Sequence, residues 1–153
     1  MSVHKDQDRI EKVVELAAPV PRVWRALTDY KEFGTWFRVR LDNPFEVGTT
    51  TTGTMTSPGH ESMPWVSVTE ELEHQRLFAF SWPPSAIDPD TVYSEEAKVR
   101  VEFRLEPTAN GTRLTITEAG FQQFPEAKRL EVLRSNEQGW EIQARNVAAH
   151  VVG

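Results

Sequence analysis

Apolar side chains recur every three or four residues over the last stretch of the chain. Leu130, Leu133, Trp140, Ala144, Val147 and Val151 fall on one stripe, with Glu137 its single polar member. That spacing predicts an amphipathic helix over Glu126–Val151. Lys128, Arg129, Arg134, Gln138, Glu141 and Arg145 occupy its other faces. Gly139 sits mid-helix, where glycine costs about 1 kcal/mol relative to alanine, and a close backbone approach beside Trp140 is the expected reason.

Upstream the period changes. Residues 9–17 alternate, with Ile10, Val14 and Leu16 opposed to Glu11, Val13 and Glu15, as a first strand should. Pro19 and Pro21 open a short helix carrying Val20, Val23, Trp24 and Leu27, since proline is tolerated in a first helical turn. Thr28-Asp29 is a second capping signal before Tyr30, Phe33 and Trp36, with Gly34 weakening that helix. From Phe37 onward the pattern has period two. Phe37, Val39 and Leu41 lead, a threonine-rich strand follows over 49–56, and Val66, Val68 and Leu72 make the next. Phe78, Phe80 and Trp82 share one parity, and Val99, Val101, Phe103 and Leu105 alternate with Arg100, Glu102 and Arg104. Asn110-Gly111 is the strongest hairpin signal, leading to Leu114 and Ile116.

The expected order is β-α-α-β-β-β-β-β-β-α, an α+β fold. Consecutive strands favour an antiparallel meander with one apolar face, here about six or seven strands, wrapped around the long helix. A curved sheet closed by a helix leaves room for a cavity between them. Residues 1–8 read as a flexible leader and 9–153 as one domain, a size able to build a single core.

Composition narrows the function. Hydrophobic content of 39% with 26% charged residues is ordinary for a globular protein, while a net charge of −6 argues against nucleic-acid or anionic-membrane partners. There are no cysteines, which excludes thiol chemistry and disulfides and fits a reducing cytoplasm. The polar N-terminus carries no targeting signal, so a cytoplasmic protein is expected. His4, His60, His74 and His150 are scattered, without metal-ligand spacing or a nucleophile partner. Asp88 and Asp90 lack the glycine and distal glutamate of a calcium loop. Neither a metal nor a cofactor is expected.

The residues also carry a resemblance over nearly the whole chain from about residue 9. Ala18-Pro19, Val23-Trp24, Leu27-Thr28-Asp29, Trp36-Phe37, the run from Arg76-Leu77 through Phe80-Ser81-Trp82, Gly111-Thr112 with Leu114-Thr115, Glu118-Ala119-Gly120-Phe121 and Gly139-Trp140 occur in a characteristic order. In these the chain resembles the helix-grip superfamily of START and birch-pollen-allergen-like proteins. Within it, the chain is similar to the bacterial branch related to the C-terminal domain of the activator of the heat-shock chaperone ATPase. The resemblance implies lipid or hormone carriage, polyketide cyclisation or a stress-related co-chaperone role.

Candidate site residues follow from parity and position. Trp36, Phe37, Trp65, Phe80, Trp82, Tyr93, Phe121 and Trp140 are candidates to line a ligand pocket, with Met55 and Met63 as adaptable lining; plain core is the alternative, favoured for Trp24, Phe78, Phe103 and Trp140. Glu137 is either a cavity carboxylate or a residue that leans to the rim or pairs with Arg38 or Arg40. Glu118 shares the parity of Leu114 and Ile116, and either faces inward or is turned out before Gly120. The loop over 83–94 is long enough to be a lid, a binding loop or a dimer contact. The expected function is binding of a hydrophobic or amphipathic small molecule between sheet and helix, by a monomer or weak homodimer. Alternatives are a cyclase- or dehydratase-like enzyme using Glu137, with Glu118, as acid/base, and a co-chaperone with a chaperone partner.

Overall fold

A computed structural model describes residues 9–152; the expected leader at 1–8 lies outside the described residues. The chain runs β1 (Arg9–Leu16), α1 (Val20–Thr28), α2 (Tyr30–Phe37), β2 (Val39–Leu41), β3 (Thr50–Met55), β4 (Pro64–Glu73), β5 (Leu77–Trp82), β6 (Val99–Thr108), β7 (Gly111–Ala119) and α3 (Glu126–Val151). The seven strands form one curved sheet in the order β1-β7-β6-β5-β4-β3-β2, and every neighbouring pair is antiparallel. This is the expected meander, with β1 brought back beside β7.

Local chemistry sets the joints. Asp29 accepts the backbone N–H groups of Lys31 and Glu32 and caps α2, a contribution of about 1 kcal/mol. Gly34, expected to weaken this helix, does not interrupt it, and α2 continues through it to Phe37. Glycine is needed there because a Cβ would lie 2.3 Å from the Val39 carbonyl oxygen of the adjoining strand. The helix stops at Arg38, whose φ of 67° is left-handed, so the alternation expected from Phe37 begins at Val39 instead.

The inward residues of β6, Val99, Val101, Phe103 and Leu105, are all buried, as the period predicted. Phe33 is the hub of the aromatic core, with its ring within 4.8–6.4 Å of Trp36, Phe37, Phe45, Trp65 and Phe103. On the opposite face Arg100 reaches Glu70 at 2.6 Å, Glu71 at 2.5 Å and Glu102 at 2.9 Å, and this network covers the buried Ser81. Helix α3 packs against β1, α1 and α2, burying Leu133, Trp140, Val147 and Val151. Leu130 is 45% exposed, so the buried stripe is narrower at its start than the spacing predicted.

Among the described residues no helix is long and apolar enough to cross a membrane.

Candidate functional site

Glu118 stands in β7 opposite Val101 of β6 and Ile10 of β1, pointing inward with Leu114 and Ile116. Its side chain is fully buried. The strand does not turn it out, because the chain reverses only at Gly120, where φ is 117° and a Cβ would lie 2.8 Å from the Lys98 carbonyl oxygen. Three donors converge on the carboxyl group. Trp140 Nε1–H donates to Oε1 at 2.8 Å, Asn136 Nδ2–H to Oε1 at 3.0 Å, and Trp82 Nε1–H to Oε2 at 3.0 Å. Asn136 and Trp140 are one helical turn apart on α3, which lets both address the same group. Trp82 arrives from the end of β5.

Burial pushes the Glu118 carboxyl up from the ordinary glutamate range, while the hydrogen bonds from Trp140, Asn136 and Trp82 pull it down; the net direction is upward. No lysine, arginine or histidine forms an ion pair with it among the described residues. Among the described residues the other partly buried acids are matched to cations. Glu32 is met by Arg22, by Arg25 at 3.1 Å and by His150 at 2.9 Å. Glu70 faces Arg100 and Lys98, and Asp88 faces Lys128 at 3.1 Å. Glu118 is held by neutral donors alone.

All three of its donors line one cavity of about 330 Å³ between the sheet and α3. Four aromatic rings form a closed circuit along its wall. Phe37 meets Trp65 at 5.2 Å between centroids, Trp65 meets Trp82 at 5.4 Å, Trp82 lies nearly parallel to Trp140 at 6.4 Å, and Trp140 returns to Phe37 at 6.0 Å. Met55 also lines it, and the exposed Met63, Pro64, Val66 and His60 stand at the mouth. Ala86 and Ile87 bring the loop after β5 to the same rim. That loop is tied to α3 through Asp88, which accepts from Lys128 and, at 2.7 Å, from the Tyr93 hydroxyl. The hydroxyls of Thr91 and Tyr93 and the Lys128 ammonium hold the Asp88 carboxyl down at about 2, against the effect of burial.

The structure brings Phe37, Met55, Met63, Trp65, Trp82 and Trp140 of the expected residues into the lining, with Glu118 directly behind it. Others lie elsewhere. Trp36 is buried in the core and donates Nε1–H to the Ala26 carbonyl at 2.8 Å. Phe80 is fully buried against Trp65 and Trp82, Phe121 packs on Phe124, and Tyr93 serves the loop.

Glu137 is exposed, in a second groove with Arg9, Ile10, Glu11, Leu133 and Arg134. The reason is helical phase. At about 100° per residue, Asn136 and Gln143 lie on one side of the line through Leu133, Trp140 and Val147, and Leu130 and Glu137 on the other. The Asn136 side faces Glu118 of β7 and the end of α2, where Gln143 donates to the Phe37 carbonyl at 3.0 Å. Leu133 to Asn136 is a three-residue step as legitimate as the four-residue step to Glu137, and that was the signal available in the sequence.

Gly139 also departs from expectation. No atom lies within 4 Å of where its Cβ would be, so no backbone approaches it; its missing side chain leaves room at the cavity.

Residues 17–151 match a family model described as Activator of Hsp90 ATPase homolog 1-like protein. No curated protein matches the chain. Among solved structures, a Nitrosomonas europaea protein is similar at a TM-score of 0.73 and 20% identity, covering 95% of each chain. A solution structure of an Arthrobacter aurescens protein gives a TM-score of 0.73 at 20% identity, over 96% of this chain and 87% of that one. A protein of the dynemicin biosynthetic locus gives 0.69 at 19% identity, over 95% of this chain but only 47% of the other. At these TM-scores the chains share the helix-grip fold.

Proposed function

The chain belongs to the Activator of Hsp90 ATPase homolog 1-like family, and from that premise we propose that it binds a hydrophobic or amphipathic small molecule between the sheet and α3. The observation that carries this reading is the cavity of about 330 Å³, walled by Phe37, Trp65, Trp82 and Trp140 with the Glu118 carboxyl behind it. Small-molecule sites run from about 300 to 1,000 Å³ and combine an apolar wall with a few placed polar groups. Gly139 supports the same reading. A mid-helix glycine with free space at its Cβ sacrifices helix stability, and what it preserves is volume at the cavity.

A cyclase-like reading needs a carboxyl in contact with substrate. Glu137 stands outside the cavity, and Glu118 is sealed behind the side chains that hydrogen-bond it, so the geometry favours binding over acid/base chemistry.

Native mass spectrometry of the purified protein, with thermal-shift measurements across fatty acids, flavonoids and polyketides, tests the proposal. Wild type is expected to carry or take up a small molecule. Gly139→Leu is expected to fold, because its Cβ meets open space, and to lose that uptake by filling the cavity. A clean apo mass with no shift by any compound, or undiminished uptake by Gly139→Leu, would overturn the reading.

A further inference from the structure

Resting on the small-molecule reading above, we infer that the cavity selects an organic cation, an ammonium group carried on an apolar body, seated within the aromatic circuit of Phe37, Trp65, Trp82 and Trp140 with Glu118 as its counter-charge.

The first argument is the solitary acid. A buried carboxylate is costly unless paired, and Glu32, Glu70 and Asp88 are all paired with cations in this fold. Glu118 is the fully buried one, and its three partners are neutral. Two of them are indoles, which donate and cannot accept, so their arrangement suits the ionised carboxylate that burial disfavours. A cation on the faces of the same two indoles whose N–H edges hold the acid supplies the missing charge.

The second argument is the wall. Aromatic faces attract cations through their quadrupole, tryptophan most strongly, and a desolvated site strengthens the attraction. Three of the four rings here are indoles, joined at centroid distances of 5.2–6.4 Å. Trp82 and Trp140 each donate their N–H to Glu118, which draws the N–H dipole toward the acid and leaves the ring face more electron-rich. The acid and the cage therefore act through the same two side chains. None of the lining residues is a lysine or an arginine, and the net charge of −6 favours approach of a cation over an anion.

The test compares three probes of similar size. Phenyltrimethylammonium and tert-butylbenzene match in shape and differ in charge, and 4-methylbenzenesulfonate supplies the opposite charge. Affinities are read from the indole N–H resonances of Trp82 and Trp140. The cation is expected to bind roughly tenfold or more tightly than the neutral isostere, and the preference is expected to collapse in Glu118→Gln. If Glu118→Gln does not fold, a pH series replaces it. It is run in His60→Gln, because His60 is the one titratable lining residue and is exposed. Cation affinity should then fall as the pH is lowered towards the ordinary glutamate value of 4.5 while that of the neutral probe stays constant. Equal or tighter binding of the neutral or anionic probe, or a cation preference that survives Glu118→Gln, would overturn the inference and leave the small-molecule reading standing. If no probe moves either indole, the inference falls, and the small-molecule reading is decided by the native-mass and thermal-shift measurements above.

Discussion

Glu118 and Trp140 join the sheet to the last helix by a hydrogen bond of 2.8 Å, formed in the interior by a carboxylate from β7 and an indole from α3. The bond fixes the rotation of α3 about its own axis, because Asn136 on the preceding turn addresses the same oxygen. It also places a titrating group where water does not reach.

That placement gives a pH dependence of definite sign. Burial raises the Glu118 pKa in the folded protein above its unfolded value near 4.5. Its contribution to stability is then full below the unfolded pKa and is lost as pH rises through the folded one. The stability of wild type minus that of Glu118→Gln should fall by up to about 1.4 kcal/mol per pH unit above 4.5 and then level off. Urea denaturation of both proteins from pH 4.5 to 9, at constant m, measures it. A flat difference would mean that the three donors fully offset the burial.

Asp88 gives the opposite sign. The Thr91, Tyr93 and Lys128 groups lower its pKa from 3.8 to about 2, so the stability it lends the loop is present above 3.8 and disappears as pH falls through about 2. Amide exchange should therefore keep Ala86, Ile87 and Asp88, whose N–H groups bond within the loop, protected at pH 5. Asp88→Ala should expose them at pH 5 while the amides of β6 stay protected. Since Ala86 and Ile87 rim the cavity, the same variant should weaken binding of any cavity ligand.

These two acids show how far the sequence could be read. Strong periods resolved the elements: the alternation of Val99, Val101, Phe103 and Leu105 gave β6, and the three-four spacing gave α3 with both of its bounds. Parity put Glu118 on the inward side but did not decide its fate, because that depends on where Gly120 turns the chain. The site on α3 was misphased by one residue, since steps of three and four from Leu133 land on Asn136 and Glu137 alike. Only the packing of β1 and the small helices rotates Asn136 in and Glu137 out. Asp88, set aside as a calcium ligand, could not be matched to Lys128 forty residues away without the fold.

Phe33 offers a test of where the core is most sensitive. It is fully buried and touches five other rings, so Phe33→Ala removes both transfer energy and packing partners, at an expected cost of about 3–5 kcal/mol. Chemical denaturation measures it. Val92→Ala, at a site 97% exposed, should change stability by less than about 0.5 kcal/mol.

The two helical glycines make a paired prediction in which one substitution takes opposite signs. At Gly139 a Cβ meets nothing within 4 Å, so Gly139→Ala should stabilise by about 0.5–1 kcal/mol through helix propensity, raising Tm by about 1–4 °C. At Gly34 the same methyl would stand 2.3 Å from the Val39 carbonyl oxygen, which is backbone and cannot rotate aside. Either β2 or α2 must move, so Gly34→Ala should cost toward the upper end of about 1–3 kcal/mol despite the same propensity gain. Thermal denaturation of both variants decides it. If Gly139→Ala failed to stabilise, the free space beside α3 would not be the reason that position lacks a side chain. If Gly34→Ala were neutral, the close approach of α2 to β2 would not be what requires glycine there.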